Sequence, residues 1–173
     1  MQFKQLTPEE QKCVDKACEV LERGGLVAFP TETVYGLGAN ADDPNAVAKV
    51  FAAKHRPTWH PLIVHLPDAD SIAWWAKIIP EDAMKLADRF WPGPLTLLLP
   101  RSDRCGSWVT GGQPNVGLRC PSHPIGHALF KAFSGSKRRG LVGPSANSFG
   151  RISPTTAQHV AEDLGLKPSG AVD

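Results

Sequence analysis

The chain of 173 residues lacks features that would place it in several large classes of protein. It has no run of 18 apolar residues, so it contains no predicted transmembrane helix. Its first ten residues include no apolar segment of the kind that a secretory signal needs, and its four cysteines show no CxxC spacing. We therefore expect reduced thiols, a cytoplasmic location and no membrane association.

Acidic residues are missing from a long part of the chain. Residues 104–161 carry seven basic side chains and neither Asp nor Glu, and a second acid-free stretch, residues 44–67, contains Lys49, Lys54 and Arg56. If the two stretches meet in the fold, they form a basic concavity with no internal counter-charge. Such a surface attracts phosphate, carboxylate or nucleic acid. The alternative is that these basic side chains are scattered over solvated faces.

Several familiar motifs are absent or incomplete. Residues 36–41 match G-x-G-x-x-A, but no helix begins there and the acid of a dinucleotide site does not follow. Residues 143–147 resemble a nucleophile elbow, yet no acid separates Ser145 from His159. The chain has no P-loop, and its six histidines do not show zinc-ligand spacing. These observations argue against a nicotinamide enzyme, a serine hydrolase, a P-loop ATPase and a preformed metal site.

The apolar pattern alternates between strand-like and helix-like segments. Thr7-Pro8-Glu9-Glu10 is a capping box that begins the first helix, and Gly24-Gly25 ends it. Further helices are predicted at 44–56, 69–76, 81–90, 124–133 and 154–164, and strands at 26–30, 62–66, 95–99, 116–120 and 141–143. The first strand is followed by a segment punctuated by glycines, residues 31–38, and the five tryptophans are interpreted mostly as core residues. This order predicts one domain, residues 1–173, with an α/β fold in which helices flank a mixed sheet.

Four short polar segments lie at the ends of these elements, where α/β sheets bind ligands. They are Pro30–Gly38, Lys54-His55-Arg56, Arg119, and Ser145-Ala146-Asn147 with Ser153-Pro154 before the last helix. A turn capped by threonine and favourable charge at a helix C-terminus are the plainer interpretations of the first two. Arg119 suits a carboxylate, and hydroxyls and free amides before a helix suit an anion. Together the segments predict a pocket for a polyphosphate and a small carboxylate-bearing molecule.

Six motifs occur in order along nearly the whole chain. They are FPTETVYGLG (29–38), Lys54-x-Arg56-Pro57, PLIVH (61–65), WPGPLT (91–96), VGLR (116–119) and PSAN (144–147). In these motifs the chain resembles the YrdC/Sua5 family, the threonylcarbamoyl-AMP synthases. The resemblance implies a YrdC-like fold, a twisted α/β sheet with a large positive concave face. It also implies that L-threonine, bicarbonate or CO2, and ATP give threonylcarbamoyl-AMP and pyrophosphate, a nucleotidyltransferase reaction. The product serves the N6-threonylcarbamoyl modification of adenosine 37 in tRNA through a downstream transferase.

The resemblance also carries residue roles. Lys54 and Arg56 would be catalytic, stabilising charge on the α-phosphate and the departing pyrophosphate. ATP would be bound by Lys54, Arg56, His60, Ser145, Asn147 and Ser153. Threonine would be bound by Thr33, His65, Arg119 and Gly143, with Arg119 on its carboxylate. No general base is required, and Mg2+ would be held through ATP oxygens and water rather than by protein ligands.

Two departures from the family pattern and two rival functions stay open at this point. Asn115 stands where relatives often carry Thr or Ser, and the chain stops at Asp173 where relatives usually continue with a glycine-rich segment and another strand. The main rival function is a non-catalytic module that binds double-stranded RNA or tRNA on the basic face. The second is a carbamoyl-adenylate enzyme of hydrogenase maturation, which would need further domains.

Overall fold

A computed structural model describes residues 3–165 and the backbone of residues 171–172. The helices are α1 (Pro8–Glu22), α2 (Pro44–Lys54), α3 (Ile72–Trp75), α4 (Glu81–Phe90), α5 (Ser107–Thr110), α6 (Pro124–Ser134) and α7 (Ala157–Leu164), with a 3-10 turn at Gly135–Lys137. The strands are β1 (Leu26–Phe29), β2 (Gly36–Asn40), β3 (Ile63–His65), β4 (Thr96–Pro100), β5 (Asn115–Arg119), β6 (Leu141–Val142) and β7 (Ala171–Val172).

The strands form one mixed sheet in the order β4-β5-β3-β6-β2-β1-β7. Among the pairs that the structure describes, β3 and β5 are parallel and the others are antiparallel. The α/β class and the mixed sheet flanked by helices are therefore confirmed. In the register, His65 of β3 lies beside Arg119 of β5 on one side and Leu141 of β6 on the other.

Two apolar clusters hold the helices on the sheet. The larger joins Leu37, Val64 and Leu118 of the strands to Val50 of α2 and Trp75 of α3. The smaller cluster packs α1 and α6 against the β1 end of the sheet and consists of Val14, Leu21, Val27, Phe29, Leu129, Phe130, Phe133 and Leu141. On β4 the burial alternates, and Leu98 is 68% exposed. Side chains on part of the sheet thus lie open to solvent, beyond the region that α1 and α6 cover.

The ends of several elements follow local signals in the sequence. The capping box of α1 is present, because Thr7 Oγ1 accepts from the backbone N–H of Glu10 while the Glu10 carboxylate accepts from Thr7 N. Asp43 caps α2, whose first residue is Pro44, and His55 ends it in the left-handed conformation with φ 51°. The helix predicted from residue 154 begins only at Ala157, with Thr156 as its N-cap, so that prediction was wrong by three residues. Pro154 is held outside the helix because its carbonyl accepts from the backbone N–H of Tyr35 at 2.8 Å.

Strand β2 (Gly36–Asn40) was not predicted, whereas residues 31–35 form a loop that the Thr31 hydroxyl caps. Glycine is unfavourable in strands, so Gly36-Leu37-Gly38 gave no strand signal. In the structure Leu37 and Ala39 enter the core, while a Cβ atom built on Gly36 would lie 2.6 Å from Cζ of Phe29. The glycines are there because the Phe29 ring lies against the strand, which is a contact between different elements.

The tryptophans also differ from expectation. Trp75 is fully buried and Trp91 half-buried, but Trp59 is 67% exposed and Trp74 and Trp108 are each more than one third exposed. The Arg104 guanidinium lies 4.1 Å from the ring centre of Trp74 and stabilises it at the surface. The expectation that the tryptophans mostly belong to the core was therefore wrong.

Candidate active site

The loop between β1 and β2 is shaped by the hydroxyl group of Thr31. This hydroxyl donates to the carbonyl of Val34 at 2.6 Å and accepts from the backbone N–H groups of Thr33 and Val34. Because its single proton goes to Val34, the 3.0 Å contact between the two threonine hydroxyls has Thr33 as the donor. Thr33 Oγ1 therefore offers lone pairs to its other neighbours.

Arg119 ends β5 beside this loop. Its Nη2 donates to Glu32 Oε1 at 2.8 Å and to Thr33 Oγ1 at 3.2 Å. The Nε group of Arg119 is buried and has no hydrogen-bond partner within the described residues. Its Nη1 has no partner there either and is not buried, so Nη1 is the donor of the guanidinium that is available to a ligand.

His65 and Gly143 form the floor next to Arg119. Burial lowers the pKa of His65 to about 3, with the Arg119 charge as a second cause, so the imidazole is neutral at physiological pH. The ring stacks on Phe130 at 5.6 Å and meets Phe29 edge-on at 5.4 Å. Its Nδ1 lies buried without a partner in the described structure, close to Gly143.

The absence of a side chain at Gly143 is required by this packing. A Cβ atom there would lie 2.6 Å from Phe29 Cζ and 2.7 Å from His65 Nδ1. We expect Gly143→Ala to destabilise the fold by about 1–3 kcal/mol, because both rings would have to move in a packed core. Gly117→Ala on β5 is the matched control, since its Cβ would meet its neighbours at 3.4 Å or more. Urea denaturation of both variants checks this, and equal midpoints would contradict it.

Arg56 lies just beyond the end of α2. Its Nη2 donates to the carbonyl of Pro61 at 3.1 Å, whereas its Nε is buried and has no partner in the part of the chain that is described. Burial lowers the pKa of Arg56, but from a value so high that the guanidinium stays charged. No carboxylate among the described residues forms an ion pair with it.

Lys54, the last residue of α2, is only 1% exposed. Its ammonium group donates to the backbone carbonyls of Ser145 and Asn147. Burial and the nearby Arg56 charge lower the pKa of Lys54 to about 8, so the group still carries its charge at neutral pH. Lys54 therefore holds the loop that follows β6 in place.

This loop, residues 144–153, is also tied to β2 and α7. Leu37 N donates to Pro144 O, and Ala146 N donates to Tyr35 O, each at 2.8 Å. Asn147 turns its amide group back into the loop, donating to the carbonyls of Ser148 and Arg151. The loop is consequently fixed against the strand that carries Gly36, and Ser145 lies beside that strand.

A cleft of ≈ 250 Å³ lies between these groups. Six of the predicted site residues line it: Thr33, Arg56, His65, Arg119, Gly143 and Ser145. Lys54 lies behind the cleft wall. Ser153 lines a separate cavity of ≈ 440 Å³ together with Arg151, His159 and Asp163. His60 is half-buried, and its ring meets Phe149 edge-on at 5.3 Å.

The expected lack of counter-charge in the basic stretch was wrong. Four of its arginines form ion pairs with carboxylates from elsewhere in the chain: Arg104 with Asp42, Arg119 with Glu32, Arg139 with Glu22 and Arg151 with Asp163. The two acid-free stretches do meet, at Lys54 and Ser145, but folding also brings remote acids to the same surfaces. Of the two arginines that line the cleft, Arg119 is therefore paired with Glu32, whereas Arg56 has no ion-pair partner among the described residues.

Sequence reasoning missed the role of Glu32. The signal in the sequence was that Glu32 is the one acidic residue of the 29–38 motif, which is rich in threonine and glycine. Only the register of β5 and the course of the loop show that Glu32 meets Arg119.

In residues 3–165, no group of three or more His, Cys, Asp or Glu side chains is arranged to hold a metal ion. No helix of this part of the chain is long and apolar enough to cross a bilayer.

Comparison with known proteins gives consistent matches. The family profile Sua5_yciO_yrdC, described as "Telomere recombination", matches residues 19–173. Proteins named threonylcarbamoyl-AMP synthase from Pyrococcus abyssi and Bacillus subtilis are 51% identical over 148 residues and 46% identical over 161 residues. These alignments cover 86% and 92% of this chain, but the chain spans only 42% and 45% of those relatives.

A solved structure gives the same result for the fold. The crystal structure of P. abyssi Sua5 complexed with L-threonine superimposes with a TM-score of 0.85 at 48% identity. The superposition covers 92% of this chain and 45% of that one. This chain therefore shares the fold of that structure over nearly all of its length.

Proposed function

The chain belongs to the Sua5/YciO/YrdC family, and from this premise we propose that residues 1–173 form one domain that makes threonylcarbamoyl-AMP and pyrophosphate from L-threonine, CO2 or bicarbonate, and ATP. The proposed reaction class is nucleotidyl transfer. The observation that carries the proposal is that Arg119 and Arg56 line one cleft, each with an Nη1 group that is not buried and has no hydrogen-bond partner among the described residues. A cleft with two separate cationic groups suits a substrate carboxylate and a phosphate chain at the same time.

The amino-acid end of the cleft is formed by Thr33, His65, Arg119 and Gly143. The unpaired Nη1 group of Arg119 would donate to the carboxylate of threonine. Thr33, whose own proton goes to Thr31, would accept from the ammonium group or the hydroxyl group of the substrate. The match to a Sua5 structure named as a complex with L-threonine supports this assignment.

The nucleotide end would be formed by Arg56 and Ser145, with Lys54 behind them. Arg56 would donate to phosphate oxygens and stabilise the charge that develops when pyrophosphate leaves. Lys54 holds the carbonyls of the 144–153 loop and would add a buried positive charge close to the phosphates. Asn147, His60 and Ser153, the last of which lines the separate cavity, are proposed as further ATP contacts.

The chemistry mainly needs positioning and charge neutralisation. The amine of threonine attacks CO2 to give a carbamate with loss of a proton, and a carbamate oxygen then attacks the α-phosphorus of ATP in line. The bond from that phosphorus to the pyrophosphate oxygen breaks as the new one forms. Holding both substrates in one cleft makes this step effectively intramolecular.

Mg2+ is proposed to enter with ATP. The donor groups of the cleft are cationic or neutral, and the nearby Glu32 carboxylate is held by Arg119. This set fits a metal ion carried by phosphate oxygens and water, with no direct protein ligand required. The ion would supply additional neutralisation of phosphate charge.

The downstream partner would be a transferase that passes the threonylcarbamoyl group to tRNA. We propose a cytoplasmic location, which the four free cysteines support. Direct contact with tRNA or double-stranded RNA on the basic face is part of the same proposal.

The test is pyrophosphate release from ATP, with threonine and bicarbonate omitted in turn. We expect release to fall by at least about tenfold when either is left out, because the nucleophile is then missing. ATP consumption that ignores threonine would contradict the proposal. A non-catalytic RNA-binding module would instead show no turnover, together with an RNA affinity that falls steeply with salt.

A further inference from the structure

We propose that Glu32 is a positioning residue that orients Arg119 for the carboxylate of the amino-acid substrate. The inference rests on the proposed function, because it assigns Arg119 the role of carboxylate ligand. It adds a residue that the motifs alone did not connect with binding.

Glu32 lies next to the cleft in the sequence and in contact with Arg119, but it does not line the cleft itself. Its neighbours Thr31 and Thr33 line the cleft, and Glu32 does not. Its side chain is 19% exposed and that of Arg119 is 13% exposed. The pair is therefore largely removed from water, where a charge-assisted hydrogen bond is stronger than at an open surface.

Both oxygens of the Glu32 carboxylate are used. Oε1 accepts from Arg119 Nη2 at 2.8 Å, and Oε2 accepts from the backbone N–H of Ser122 at 3.2 Å. Ser122 lies three residues beyond Arg119, in the segment that leads into α6. The carboxylate thus joins the β1–β2 loop to the chain that follows β5, and the guanidinium is held between them.

The consequence concerns the remaining donors of Arg119. Glu32 and Thr33 both bind Nη2, so the guanidinium plane is fixed from one corner. Its Nη1 has no partner among the described residues and, unlike the enclosed Nε, is not buried. A substrate carboxylate can therefore accept a charge-assisted hydrogen bond from Nη1. Holding the arginine in this orientation before substrate arrives reduces the entropy that binding would otherwise lose.

The alternative to positioning is competition. In that case the Glu32 carboxylate would occupy the donors of Arg119 that the substrate carboxylate needs. Because Glu32 occupies Nη2 and leaves Nη1 free, the geometry favours support over competition. The two roles predict opposite changes in the KM for threonine.

The experiment compares Glu32→Gln and Glu32→Ala with the wild type in the pyrophosphate assay. Glutamine keeps the shape but loses the charge, so we expect the KM for threonine to rise about tenfold, and more for alanine. The kcat at saturating threonine and the KM for ATP should stay within about twofold, as expected of a role confined to ground-state binding of one substrate. Glu22→Gln is the matched control, since it breaks an ion pair with Arg139 outside the cleft and should leave the KM for threonine unchanged.

A second readout separates positioning from general damage to the fold. Calorimetry with threonine and with threonine amide, which lacks the carboxylate charge, should give a smaller affinity ratio in Glu32→Gln than in the wild type. A lower KM for threonine, an unchanged KM, or an equal loss for threonine and its amide would each overturn the inference. Absence of threonine-dependent release in the wild type would instead refute the proposed function, and the calorimetric ratio would still test Glu32.

Discussion

Replacing Lys54 with methionine is expected to abolish pyrophosphate release and to lower the free energy of unfolding by about 3 kcal/mol. The ammonium group is buried and donates to the carbonyls of Ser145 and Asn147. Each charged hydrogen bond contributes about 1.5–3 kcal/mol, and the substitution also leaves both carbonyls without this partner. The 144–153 loop would lose its anchor, and the phosphate end of the cleft would lose a positive charge.

Lys49→Met provides the control for this experiment. Lys49 also lies on α2 and donates to a backbone carbonyl, that of Gly24 at 2.7 Å, but at the surface. We expect its substitution to change stability by less than about 1 kcal/mol and turnover by less than about twofold. Urea denaturation and the pyrophosphate assay measure both variants. If Lys54→Met resembled Lys49→Met in both, the role assigned to Lys54 would be wrong.

Arg119→Ala is expected to raise the KM for threonine on the order of a hundredfold while leaving the KM for ATP nearly unchanged. Truncating one member of a desolvated charge pair costs about 2–5 kcal/mol, and every 1.4 kcal/mol is a factor of ten. Arg119→Lys should recover only part of the affinity, because an ammonium group restores the charge but lacks the planar set of donors. Threonine titrations at saturating ATP and bicarbonate measure the effect.

Arg139→Ala is the matched variant for Arg119. Arg139 also forms an ion pair, with Glu22 at 2.5 Å, but it does not line the cleft. Its loss should affect stability without altering the KM for threonine. Equal values of that KM in the two variants would mean that Arg119 does not bind the carboxylate.

The sequence predicted the parts of the fold that short-range signals control. The start of α1 follows from a hydroxyl, a proline and a glutamate within four residues, and that of α2 from Asp43 and Pro44. Where a distant segment decided the conformation, prediction failed. Strand β2 needs the Phe29 ring to explain its glycines, and α7 begins late because Pro154 binds Tyr35.

The candidate site, like the fold, could be predicted from the sequence only in part. Six of the residues that the family motifs indicated line one cleft, so the identity of the chemical groups could be predicted from the sequence. The contacts that surround these groups could not be predicted from the sequence. Lys54 had the residue type of a phosphate ligand, but its depth behind the 144–153 loop depends on carbonyls 91 and 93 residues away.

By itself, the sequence determined the chemical groups available, the order of the elements and the family to which the chain belongs. Only the tertiary structure decided which charged side chains form ion pairs with each other. It placed Glu32 beside Arg119, 87 residues later, and supplied carboxylates to a stretch that contains none. The physical reason is range: helix caps and strand alternation depend on neighbours a few residues apart, whereas ion pairing and burial depend on distances in space.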